Sequence, residues 1–127
     1  LLAAWQDDPA APPLARLDHF VRFHIDTSLD QADGVFLAYM ELRNLTPENL
    51  ALITGLRRRY EGALQAILEA GVAAGQMRID DMRLTRMALI GMLTAVTNWY
   101  RAGGRLDREA LHRHYATLVR GAVGAAA

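Results

Sequence analysis

Three junctions in this chain share one arrangement, and that arrangement dictates helices. In Leu45-Thr46-Pro47-Glu48-Asn49-Leu50, Thr46 has the side chain of an N-cap, Pro47 suits the first helical position and Glu48 faces the positive end of the helix dipole. Leu45 and Leu50 occupy the two positions of a hydrophobic staple. Ile79-Asp80 with Leu84, and Leu106-Asp107 with Leu111, repeat the pattern, so helices are expected to start after Thr46, Asp80 and Asp107. Earlier, Pro12 or Pro13 can open a helix on which Leu14, Leu17, Val21, Ile25 and Ser28 recur at helical spacing. Asp30 followed by Asp33 starts a short helix running to about Asn44. Gly75, Gly103-Gly104 and Gly121 with Gly124 supply the stops. Sustained two-residue alternation is absent. The expected fold is all-α: an antiparallel bundle of about five helices joined by short connections.

Composition narrows the function classes. The 127 residues carry 14 basic and 14 acidic groups, and this balance argues against a free-standing nucleic-acid binder, which carries a basic excess. There is no Cys, hence no disulfide, thiolate metal site or Cys nucleophile. No apolar run reaches the roughly 18 residues of a membrane span, and no basic segment leads into an apolar one as a signal peptide would. A cytoplasmic location without membrane contact is the expectation. The chain begins at Leu1, inside an apolar run with Leu2 and Trp5, and reads as the continuation of something longer.

The stretch from Met87 to Tyr100 is apolar on too many sides. One face carries Leu89, Leu93, Val96 and Tyr100; a second carries Leu84, Ala88, Gly91, Ala95 and Trp99; a third carries Met87, Ile90, Thr94 and Thr97. A bundle of this size covers one or two such faces. The last helix has a similar surplus, with Leu111, Tyr115, Leu118 and Ala122 in one stripe and Val119 and Val123 in another. Two such helices near the C-terminus point to a homodimer seam in which Gly91, Ala95, Trp99, Leu111, Tyr115, Leu118 and Ala122 meet a second copy. The small residues Gly91 and Ala95 would allow close approach. The competing reading is a central core helix in a monomer.

Polar groups interrupt these apolar faces: His24 and Thr27 on the first helix, Tyr39 and Arg43 near Phe36 and Met40 on the second, Tyr60 on the third, and Thr94 and Asn98 on the fourth. With Phe20 and Met92 they would line an aromatic and Met-rich space holding a few convergent polar groups, the make-up of a small-molecule pocket. Singly, each has a plainer role. His24 is also what a satisfied core histidine looks like, the tyrosines also fit a core with hydroxyls at its rim, and Asn98 could instead fix dimer register.

Catalytic patterns are missing. His112 and His114 are two apart and point to different helix faces, no carboxylate–histidine set has metal-ligand spacing, and Ser28 is the lone serine, without a nucleophile-elbow context. Neither enzyme, metal site nor cofactor is expected. Arg57-Arg58-Arg59 fans around a helix and cannot form one basic stripe. Arg57 stands four residues before Glu61, as on a solvated face, although an arginine such as Arg59 turned toward a pocket could meet an anionic ligand.

These residues resemble, over roughly Leu14 to Gly124, the C-terminal ligand-binding and dimerisation domain of tetracycline-repressor-like (TetR family) regulators. The likeness rests on Glu41-Leu42-Arg43 with Leu45-Thr46-Pro47-Glu48, on Arg57-Arg58-Arg59-Tyr60-Glu61, and on Ala70-Gly71-Val72-Ala73-Ala74-Gly75-Gln76-Met77-Arg78 with Asp80-Asp81. It continues through Ala88-Leu89-Ile90-Gly91-Met92, Asn98-Trp99-Tyr100-Arg101, Gly103-Gly104-Arg105-Leu106 and Tyr115. The resemblance implies a homodimeric transcriptional regulator, mostly a repressor, whose last two helices form the dimer bundle. It implies that helices over 12–28, 31–44, 47–74 and 81–101 enclose the effector. Regulators of lipid, sterol or aromatic catabolism look similar, and some sense acyl-CoA thioesters; a hydrophobic anion of that kind would give Arg43 or Arg59 a purpose. Residues 1–11 would then be the end of a linker helix from an N-terminal helix-turn-helix domain lying upstream, and 12–127 the effector-binding and dimerisation domain. DNA contact would come through that upstream domain alone. A helical interaction module without a ligand is the alternative.

Overall fold

The computed structural model describes residues 5–30 and 46–125. The described residues are helical without any strand. Helix α1 spans Pro13–Asp30, α2 Pro47–Ala73, α3 Met82–Thr94 and α4 Arg108–Ala122, with a 3-10 turn over Ala95–Asn98. The all-α expectation therefore holds. The short helix expected over 31–44 lies outside the described residues.

Two of the three starts fall where the sequence puts them. The side chain of Thr46 accepts from the backbone N–H of Asn49, and that of Asp107 from Ala110. The third is one residue later than expected: Asp81, not Asp80, accepts from the N–H of Leu84. The Ile79–Leu84 staple does not form. Ile79 packs on the core, while Leu84 is 62% exposed. At the far end of α2, Gly75 adopts φ +73, a left-handed conformation open to glycine without a Cβ penalty, and turns the chain back so that Gln76 N–H reaches the carbonyl of Gly71. Gly124 does the same after α4, where a Cβ would also stand 3.0 Å from Arg78.

The helix expected over 81–101 stops being α-helical at Thr94 and continues as the 3-10 turn. Two threonine hydroxyls bond to the backbone there: Thr94 Oγ1 donates to the carbonyl of Ile90 and Thr97 Oγ1 to that of Thr94. Residues 5–8 are not helical and a turn follows at Pro9–Ala10, which differs from the linker-helix end expected for 1–11 over the part that is described.

One face of every element closes a single core. Leu17, Phe20, Val21 and Ile25 of α1 meet Tyr60, Leu64, Ile67 and Leu68 of α2; Leu89 and Leu93 of α3 with Val96 close a third side, and Leu111 and Val119 of α4 a fourth. Leu111, expected at a dimer seam, is thus wholly inside the chain's own core, because its neighbours on α4 turn it toward α1 and α3.

α1 and α4 lie antiparallel, laced by polar pairs outside that core. Asp18 accepts from Arg120 (2.5 Å), Asp26 from His112 (2.7 Å) and Asp30 from Arg108 (2.6 Å).

Candidate functional site

The polar residues singled out in the sequence meet at one place, where α1, α2 and α3 converge. His24 Nδ1 lies 2.7 Å from Tyr60 Oη, and its Nε2 lies 2.9 Å from Thr94 Oγ1. Thr94 Oγ1 in turn lies 2.7 Å from the carbonyl of Ile90. The directions of these bonds follow from counting protons. Threonine has one hydroxyl hydrogen, and the Ile90 carbonyl can only accept, so Thr94 donates there and accepts from His24 Nε2–H. Burial pushes the His24 pKa down to about 4, leaving the ring neutral. Its Nδ1 is then a lone pair, and Tyr60 donates to it. Burial also pushes the Tyr60 phenol up, which keeps that proton in place. The result is a one-way relay from Tyr60 through His24 and Thr94 to the Ile90 carbonyl.

Aromatic rings wall the relay on one side. Phe20 lies 4.9 Å from Tyr60 and 6.0 Å from His24 between ring centroids, and Phe23 lies 6.3 Å from Tyr60. Beyond them Trp5 touches His19, Phe20 and Phe23 at 4.9–5.2 Å, so residues before α1 are tied to the same cluster. The Asp7–Arg16 ion pair fastens that segment further, and the hydrogen bond from Arg16 holds the Asp7 carboxyl below its ordinary range. Sequence reasoning assigned Trp5 and Phe23 no part in this cluster.

Of the other expected pocket residues, Thr27 and Met92 are half-buried, and Met92 packs on the core. Arg59 and Asn98 are exposed and do not join the cluster: on α2 the backbone turn that buries Tyr60 carries Arg59 outward, and Asn98 falls where the 3-10 turn leaves the core. Phe36, Tyr39, Met40 and Arg43 lie outside the described residues. The described residues contain no group of acidic and histidine side chains able to hold a metal.

The second feature is an apolar strip that the core does not use. Leu84 (62%), Met87 (55%) and Trp99 (48%) stand exposed, and Ala88, Gly91 and Ala95 between them are exposed too. The strip continues onto α4: Trp99 stacks on the half-buried Tyr115 at 6.4 Å, and Leu118 and Ala122 are exposed beyond it. Six of the seven expected seam residues therefore lie along this strip; Leu111 is the exception.

The tetracyclin repressor-like C-terminal domain family matches residues 10–123. The chain belongs to that family. Solved TetR structures share its fold. A TetR-family regulatory protein from Rhodococcus RHA1 superposes with a TM-score of 0.86 at 26% identity, over 99% of this chain and 66% of that one. The TetR-family transcriptional regulator PfmR from Thermus thermophilus gives 0.79 at 29% identity, over 89% and 62%. A TetR/AcrR-family regulator from Thermobifida fusca gives 0.72 at 24%, a likeness of fold, over 94% and 61%. The chain thus spans somewhat under two thirds of each of these proteins. No curated protein matches it. Among the described residues no helix is long and apolar enough to cross a membrane.

Proposed function

We propose that this TetR-family chain is the effector-binding and dimerisation part of a repressor-type transcriptional regulator. A small hydrophobic ligand bound in the bundle would set the spacing of two DNA-binding domains that lie upstream in the whole protein. The observation that carries this reading is the exposed strip from Leu84 to Ala122. Contiguous apolar surface of this kind, on helices whose other faces are buried, marks an interface, and a two-fold axis would bring each strip onto its own copy as a four-helix seam. Membership in the family and the likeness to the Rhodococcus and Thermus regulators support the same partner.

The effector would meet the Tyr60–His24–Thr94 relay. With the protons placed as above, Tyr60 Oη and Thr94 Oγ1 have spare lone pairs but no spare hydrogen, so the relay presents acceptors. It therefore suits an apolar molecule with a hydroxyl or N–H group. An acyl-CoA-like anion would need Arg43 or another cation, since Arg59 is exposed and stands apart from the relay. A second reading, a helical dimerisation module with no ligand, is favoured by one observation: every link of the relay is already satisfied within the chain.

Native mass spectrometry of the gently purified chain separates these readings. A dimer carrying extra mass supports the sensor. A dimer that stays empty when challenged with apolar alcohols favours the plain module. A monomer at micromolar concentration removes the argument for the seam.

A further inference from the structure

The α1–α4 contact buries a histidine that the effector reading does not use. His112 is 9% exposed. Its Nε2 lies 2.7 Å from Asp26 Oδ1, and its Nδ1 lies 3.2 Å from Nε of Arg22. An arginine Nε–H can only donate. Nδ1 must therefore present a lone pair, and the ring carries its proton on Nε2, where Asp26 accepts it. The same Arg22 uses Nη2 to hold Glu109, whose Oε1 stands 3.9 Å from His112 Nδ1. The guanidinium suits this nitrogen as a lone pair; the carboxylate, an acceptor, could bond it only as an N–H.

The charged surroundings are few. From α1 the ring faces Arg22 and Asp26. From its own helix it faces Glu109, and Arg108 shares Asp26 Oδ1 with the ring (3.4 Å) while pairing with Asp30 (2.6 Å). A groove of about 470 Å³, lined by Asp18, His19 and Arg22 of α1 and by Glu109, His112 and Arg113 of α4, opens beside the ring and gives protons access to it.

We propose that His112, Arg22 and Glu109 form a proton-operated partner exchange at the α1–α4 contact. While the ring is neutral, Arg22 bridges His112 and Glu109. A proton arriving at Nδ1 sets N–H against N–H at the Arg22 contact, with two cations side by side. Arg22 then leaves, and Glu109, whose side chain is 76% exposed and can turn freely, takes the new N–H. The Asp26 bond survives and becomes charge-assisted. The released Arg22, beside Arg113 and His19, makes the groove wall basic on acidification.

Nitrogen-15 NMR of the whole chain tests this. At about pH 8 the His112 ring should be the Nε2–H tautomer, and the Arg22 Nε–H should be protected from solvent exchange. On acidification to about pH 5, both ring nitrogens should carry protons. The Arg22 protection, corrected for the intrinsic pH dependence of exchange, should then fall roughly tenfold, as expected for one lost hydrogen bond. In His112→Gln, which can keep a donor toward Asp26 and an acceptor toward Arg22 but cannot titrate, protection should persist at both pH values. Glu109→Ala, a change at an exposed position, should move the exchange to more acidic pH. An Nδ1–H tautomer at high pH overturns the proposal. So does a ring that stays neutral to pH 5, or an Arg22 signal indifferent to the charging of His112.

Discussion

Tyr60→Phe takes from the buried relay its first donor and leaves His24 Nδ1 as an unpaired acceptor among Phe20, Phe23 and the core. The cost should be about 1–3 kcal/mol, well above what loss of an exposed hydroxyl would give, and urea unfolding measures it. His24 gives the same cluster a pH dependence. Its pKa is held at about 4 against an ordinary 6.5, so below 6.5 the unfolded chain binds a proton that the folded chain refuses. Stability should therefore be full above pH 6.5 and fall progressively toward pH 4, by about 3 kcal/mol in all. A His24→Gln variant should lack that component in unfolding curves taken at successive pH values. The sequence exposed His24, Tyr60 and Thr94 as polar residues on apolar faces. It could not pair them, because each sits on a different helix and only the crossing of α1, α2 and α3 sets their distances. Arg59 shows the opposite failure, since its neighbour Tyr60 is buried and one residue on a helix is enough to turn a side chain outward.

At the scale of an element, caps were legible and the register of one was not. Thr46 and Asp107 could be read because cap, proline or acidic first turn, and following leucine all agreed. At the third start the pattern fitted Asp80 as well as Asp81, and the staple logic chose the former; the core claimed Ile79 and left Leu84 outside. Asp81→Ala should accordingly cost about 1 kcal/mol in thermal or chemical unfolding, whereas Asp80→Ala should stay within about 0.5 kcal/mol. The α1–α4 lacing had a signal that was there to be read. Asp18, Arg22, Asp26 and Asp30 repeat every four residues on α1, as do Arg108, His112 and Arg120 (with Ala116 between) on α4. The ends of the two stripes are opposite in sign in either orientation, and the antiparallel one also sets Asp26 against His112 and keeps Arg22 opposite Ala116. Taken alone, His112 looked like half of an uninformative pair with His114.

For the whole molecule, the test of assembly is Gly91→Phe. Gly91 is exposed and a Cβ built there meets nothing of the core within 4 Å, so the variant should fold with its stability within about 0.5 kcal/mol of the parent. Forced into a close helix seam, the same ring should cost about 1–3 kcal/mol and weaken the dimer roughly tenfold to a hundredfold in sedimentation or dilution experiments. An unchanged dimer constant would show that Gly91 does not face the partner. The surplus apolar surface was visible in the sequence because three faces of one helix cannot all be buried in a small bundle. Which face stays bare depended on where α1 and α4 pack, and the structure leaves the Gly91–Trp99 side open.

Trp99 gives that bare strip an optical property. The chain has two indoles, Trp5 wedged among aromatic rings and Trp99 standing half in water against Tyr115. Excited indole emits at longer wavelength the more mobile water surrounds it. Trp5 should therefore glow at constant colour while Trp99 shifts toward the blue as the strip becomes covered. Intrinsic emission, followed on simple dilution and with Trp5→Phe to isolate the signal, would thus report association without any label.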